Sequence, residues 1–156
     1  MKLSQLLREE LVVQPLDATD KWSAIRGLAE VAARSGAIPH AALGAVQDAL
    51  LARERSMTTG MESGIAIPHA AVDGIDEVVA VLGIARHGIP FESLDGLPAR
   101  ILVCLVIPRS KKLLHIRTLA EIAKLLARRE VRDAMLAAAG PAELLAIVRE
   151  KEREST

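Results

Sequence analysis

A layered α/β domain, with a mixed β-sheet covered by helices on both faces, is the fold class this sequence predicts. Three observations carry that reading. The run ILVCLVI, residues 101–107, is apolar without alternation, as in a central strand covered on both sides. Apolar residues recur at helical spacing before and after the strand-rich middle of the chain. Strand and helix segments do not alternate regularly, and the connections are long enough for either strand direction, which favours a mixed over an all-parallel sheet.

The elements follow in chain order. TDKWSAIRGLAEVAARSG places Trp22, Ile25, Leu28, Ala29 and Ala32 on one helical face and closes at Gly36. Pro39 suits the first turn of a second helix whose buried stripe is Leu43, Val46 and Leu50. GIAI reads as a short strand stopped by Pro68, because proline removes a ladder donor and fixes the backbone. VVAVLGIAR (78–86) and RILVCLVIP (100–108) are two longer strands, separated by the turn-rich HGIPFESLDGLP. Ser110 then opens a long helix to about Arg129, with Leu119, Ile122 and Leu126 on one face. Two shorter helices follow, divided at Gly140-Pro141. No repeat or composition break divides the 156 residues, so residues 1–156 read as one domain with its core at about 2–150.

Composition narrows the function. The chain is 51% hydrophobic but holds one Trp, one Phe and no Tyr, so it lacks the aromatic platforms on which bases or sugar rings stack. Twenty basic residues balance twenty acidic ones, leaving no net field to attract nucleic acid or a membrane surface. The single cysteine, Cys104, excludes an internal disulfide and sits in the apolar run as inert core. With no signal-peptide pattern and no apolar stretch near ~18 residues, no membrane insertion is expected and the cytoplasm is the expected compartment.

Of four histidines, His40 falls in the first turn of a helix and His87 in a turn-rich loop, neither with chemistry nearby. His69 stands just past a strand end beside Ala70 and Ala71, small neighbours that leave its ring accessible. His115 falls in the first turns of its helix, on the face of Leu119, Ile122 and Leu126, near free backbone N–H groups and the positive end of the dipole. Upstream of His69, ARERSMTTG supplies Arg53, Arg55, Ser56, Thr58 and Thr59. Guanidinium forks and hydroxyls make an anion site. The chemistry such a set supports is phosphoryl transfer onto and off imidazole, which is a competent nucleophile near neutral pH. Each residue also has a plain structural reading: arginines at a helix end favour the dipole, and Ser or Thr makes turn hydrogen bonds. ARREVRDAML is an exposed charged face. A metal hydrolase would need a third ligand and a base, and neither H-E-x-x-H nor H-x-H occurs. The reading involves no metal and no cofactor.

RERSMTTGMESGIAIPHA followed by HIRTLAEIAKLL resembles the enzyme IIA domain of the mannitol/fructose class of the bacterial phosphoenolpyruvate:sugar phosphotransferase system, a class that includes the nitrogen-regulatory IIA proteins. The family pattern joins an Arg-Glu pair, a Ser/Thr-Thr-Gly step, a Gly-Ile-Ala-(Ile/Val)-Pro-His block and a second histidine about 46 positions on, the separation of His69 and His115 here. GIPFESLDGLPARILVCLVIP is similar to the family's strand, Asp-Gly turn and strand. The resemblance implies that His69 is phosphorylated on Nε2 by HPr or its nitrogen-branch counterpart. It implies that His115 assists by hydrogen bonding, that Arg53 clamps the phosphoryl group, and that Thr59 and Ser56 support it. The downstream partner is then a regulated target protein, or a IIB permease component if the chain is sugar-specific. A phosphorylation-independent interaction regulator is the remaining alternative. Sugar-specific versions are often fused to other domains, which favours the regulatory branch for this chain. One departure is PHAAVDG, where many members carry a basic residue soon after the histidine.

Overall fold

In a computed structural model, which describes residues 1–154, a five-stranded mixed sheet lies between two helical layers. The N-terminal segment, without a periodic signal in the sequence, forms a helical turn α1 (Leu3–Leu6) and a two-residue strand β1 (Val12–Val13). Helix α2 (Lys21–Arg34) starts where Asp20 accepts from the Ser23 amide at 2.9 Å and the Ser23 hydroxyl at 2.7 Å. It ends as the sequence predicts at Gly36, whose φ of +79° lets the Ala37 amide reach back to the Ala32 carbonyl at 2.9 Å. Helix α3 (Leu43–Ser56) begins one turn later than Pro39, after a 3₁₀ turn at His40–Ala42, and buries Val46, Leu50, Leu51 and Glu54.

Strands β2 (Ile65–Ala66) and β3 (His69–Val72) both run parallel to β5 (Ala99–Pro108). The strand β4 (Val79–Ile89) pairs antiparallel with β5 and parallel with β1, so the sheet is mixed as expected. Helix α4 (Lys112–Leu126), α5 (Arg129–Ala137) and α6 (Pro141–Glu154) complete the chain. Three further boundaries differ from expectation: β4 runs on through His87 to Ile89, into the segment read as a turn-rich loop, because its Ile89 still pairs with Ala99, and the other two lie in α4. Lys111, not Ser110, caps α4 without a side-chain bond, and α4 stops at Leu126 because α5 restarts at Arg129.

β5 is buried along almost its whole length, as an unbroken apolar run requires. Its neighbours explain why. Helices α2 and α3 cover one face, while α1, α4, α5 and α6 assemble on the other. Gly83 of β4 lies beneath α2, where a Cβ would sit 2.8 Å from Leu16 Cδ2 and 3.2 Å from Leu28 Cδ2. Gly83 pairs with Leu102, so Leu102 shares that face and Val103, Leu105 and Ile107 point to the other. His69 pairs with Leu105, and the pleat therefore turns its ring toward the layer that holds α4.

Candidate active site

His69 lies inside the sheet rather than past its end. Pro68 interrupts the edge, separating β2 from β3, yet its carbonyl still accepts from the Leu105 amide at 2.9 Å and the chain resumes as β3 at His69. A proline lacks only the donor, which an edge strand does without. The consequence is a histidine backbone fixed by sheet hydrogen bonds and a half-buried ring at the sheet edge.

That ring has a defined tautomer. His69 Nδ1 lies 2.8 Å from the Ile67 carbonyl oxygen, which can only accept. Nδ1 therefore carries the proton, and Nε2 keeps its lone pair. The His115 ring meets His69 edge-on, with centroids 5.4 Å apart and an interplanar angle of 74°. His115 is the fourth residue of α4, and its own amide is the first to bond back into the helix, to Lys111 at 3.0 Å. Preceding amides at Lys112, Leu113 and Leu114 leave the positive helix end beside the histidine pair.

Arg53 closes the site from the last turn of α3. Its Nη1 donates to the Met57 carbonyl at 2.7 Å. The guanidinium field reaches both imidazoles. Burial first, then the charge of Arg53 and the neighbouring His115, hold His69 below its ordinary pKa, overcoming the raising effect of the Ile67 carbonyl. Burial and Arg53 likewise lower His115. Both rings are thus neutral near pH 7, which a nucleophile and a neutral hydrogen-bond donor require.

These shifts set a pH dependence of stability. The unfolded chain titrates its histidines near ~6.5 and the folded chain at lower pH, so between those values the unfolded state binds more protons. Stability is fully present above about pH 6.5 and falls as pH drops toward the folded midpoints. Urea unfolding at about pH 7.5 and 5.5 is expected to show a larger loss in wild type than in His69→Gln/His115→Gln. Equal losses in both proteins would contradict these burial effects.

The structure brings His69, His115 and Arg53 together, and it gives the hydroxyls expected to support phosphate other partners. Thr59 is 7% exposed, and its hydroxyl donates to Glu54 Oε1 while its amide donates to Glu54 Oε2 at 2.8 Å. The Ser56 hydroxyl donates to the Arg53 carbonyl at 2.7 Å and closes the helix. Thr58 donates to the Phe91 carbonyl. Arg55 turns away, its guanidinium carbon 6.0 Å from the centre of the Trp22 ring. Sequence reasoning named Glu54 only as the second member of the family's Arg-Glu pair, with no role, and missed Lys21; the two are buried charges 3.3 Å apart. A signal existed for the first, because Glu54 continues the Val46–Leu50 stripe at the next spacing of four. Among the described residues no group of three His, Cys, Asp or Glu side chains is placed to hold a metal, and no helix is long and apolar enough to cross a membrane.

Comparisons with known proteins give the family and the fold. A family model described as phosphoenolpyruvate-dependent sugar phosphotransferase system, EIIA 2, matches residues 5–151. The fructose-specific EIIABC component of Bacillus subtilis is 27% identical over 153 residues, covering 98% of this chain but only 24% of that protein. A fructose-specific EIIA component of Haloferax volcanii is 30% identical over 136 residues, 87% of each chain. The nitrogen regulatory protein of Escherichia coli is 28% identical over 155 residues, covering 97% of this chain and 92% of its own. Among solved structures, the nitrogen regulatory protein IIA-Ntr from Neisseria meningitidis superposes with a TM-score of 0.84 at 22% identity, over 94% of this chain and 98% of that one. The enzyme IIA component of the E. coli complex with phosphorylated mannitol enzyme IIB gives 0.78 at 20% identity, over 92% and 97%. These two likenesses show the fold.

Proposed function

The chain belongs to the EIIA type-2 family of the phosphoenolpyruvate-dependent sugar phosphotransferase system, and on that premise we propose that it is a phosphohistidine carrier loaded on His69. One observation carries the reading: the Nδ1–H of His69 is held by the Ile67 carbonyl, which leaves Nε2 free beside His115 and Arg53. In the transfer step the Nε2 lone pair forms the new P–N bond. The P–N bond to the donor's histidine breaks, and that imidazole leaves with its electron pair. Arg53 offsets charge on the equatorial oxygens, and a neutral His115 donates one hydrogen bond to them. The Ile67 carbonyl then stabilises the positive charge that the phosphorylated ring shares with Nδ1–H. Ser56 serves by closing the end of α3 behind Arg53, and Thr59 by holding the turn on which the Arg53 guanidinium is anchored.

The donor is HPr or its nitrogen-branch counterpart, and the protein works in the cytoplasm. Its role is regulatory, a reading supported by the nitrogen regulatory relative that aligns across nearly its whole length. The second reading, a sugar-specific IIA that hands phosphate to a IIB component, is favoured by the 30% identity to a fructose-specific EIIA.

Incubation with phosphoenolpyruvate, enzyme I and HPr, followed by intact mass measurement, tests the proposal. One added phosphoryl group, labile to acid and stable to base, is expected. Passage of that group to a fructose or mannitol IIB, at a rate comparable with loading, would transfer the protein to the sugar-specific reading. No mass change with either HPr-type donor would overturn the carrier function.

A further inference from the structure

Glu54 stands where elementary electrostatics disfavours a carboxylate. It occupies the last turn of α3, the negative end of the helix dipole, and its side chain is fully buried. Leucine would continue the Val46–Leu50 stripe there without a desolvation penalty, and apolar replacements of buried ion pairs are commonly neutral or stabilising. Packing therefore does not account for Glu54. Its partners do. Oε2 accepts from the Thr59 amide and from Lys21 Nζ, and Oε1 accepts from the Thr59 hydroxyl. Lys21 is itself held between the Trp22 and Phe91 rings, 5.0 and 5.8 Å from their centres, and reaches Glu92 at 3.0 Å.

These bonds fix the turn that follows α3. Glu54 grips its Thr59 end, Thr58 ties it to the Phe91 carbonyl, and the Arg53 guanidinium is anchored on the Met57 carbonyl within it. We propose that Glu54 is a positioning residue for phosphoryl transfer, acting through the Met57–Thr59 turn to aim the Arg53 guanidinium at the histidine pair. Lys21 neutralises the buried carboxylate, and its contribution is to stability rather than to aim. The inference rests on the reading of His69 as phosphoryl acceptor. It deepens that reading, because it names what holds the clamp. Glu54 also places a negative charge near His69 that opposes the lowering effect of Arg53.

Three variants of the full chain test this, with transfer from phosphorylated HPr followed by quench-flow over a range of donor concentrations. Glu54→Gln is expected to lower the maximal rate at least about tenfold while the half-saturating donor concentration changes by less than about twofold, the signature of misplaced rather than lost binding. Lys21→Met keeps both Thr59 bonds, so it is expected to lose stability yet transfer within about threefold of wild type. Thr59→Val, which deletes only the hydroxyl bond, is expected to slow transfer in the direction of Glu54→Gln. A donor-free measurement runs alongside: the guanidinium NMR signal of Arg53, held on the Met57 carbonyl, is expected to shift in Glu54→Gln and to stay in place in Lys21→Met.

A wild-type rate in Glu54→Gln, or equal slowing of Glu54→Gln and Lys21→Met, overturns the positioning role while leaving the carrier function intact. If wild type itself accepts no phosphate, the carrier reading fails, and the guanidinium signal still decides: an unmoved Arg53 signal in Glu54→Gln overturns the inference.

Discussion

His69→Ala is expected to take up no phosphoryl group from phosphorylated HPr while folding as the wild type does. The ring is half-buried at the sheet edge, and the backbone of β3 is held by its pairing with β5 whatever side chain stands there. The neighbouring His115 does not substitute. Among the described residues no protein group hydrogen-bonds to its ring, so nothing fixes one nitrogen as acceptor and the other as donor in the way Ile67 does for His69. Intact mass after incubation with the donor system reads the result directly. Full phosphorylation of the variant would mean that another side chain is the acceptor.

Arg53→Gln is expected to slow loading of His69 about a hundredfold, equivalent to ~3 kcal/mol in the transition state, the usual loss when one preorganised donor to developing charge is removed. The turn keeps its Glu54–Thr59 and Thr58–Phe91 bonds in the variant, so it survives loss of the guanidinium bond to the Met57 carbonyl. What glutamine cannot do is offset negative charge on the transferring group. Lysine restores charge without the planar fork and is expected to recover part of the rate. Arg55→Gln is the control, because Arg55 lies over Trp22 and away from the histidines. An ordinary helix-end arginine contributes a few tenths of a kcal/mol up to ~1 kcal/mol to stability and nothing to transfer. Equal quench-flow rates for the Arg53 and Arg55 variants would return Arg53 to that role.

The parts of this molecule that were legible in its sequence are those with strong periodicity. β4, β5, α2 and the Gly36 terminus follow from apolar runs, helical spacing and one positive-φ glycine, all local signals. β1 was not legible, because two residues carry no period and its pairing with β4 is decided by tertiary contact. Pro68 misdirected the reading of His69: a proline ends a central strand but only interrupts an edge one, and edge position is a property of the sheet.

The site divides in the same way. The meeting of His69 and His115 was implied by family resemblance, and the arrangement of the sheet and α4 realises it. The hydroxyls of Thr59 and Ser56 were read as phosphate contacts because their residue types suit anions, whereas their partners depend on which groups the fold buries beside them. Glu54 is the reverse case. A charged residue is read by default as solvated surface; its spacing of four from Leu50 was the one signal against that, and its burial against Lys21 and Thr59 places it in the interior.

The central claim is that His69 receives phosphate on Nε2 because Nδ1 is occupied by its bond to Ile67. Phosphorus and nitrogen NMR of the phosphorylated protein, prepared with ¹⁵N-labelled histidine, tests it most directly. The account predicts a single phosphoramidate coupled to Nε2 of His69, with Nδ1 still protonated. Phosphate on Nδ1 of His69, or on His115, would contradict it.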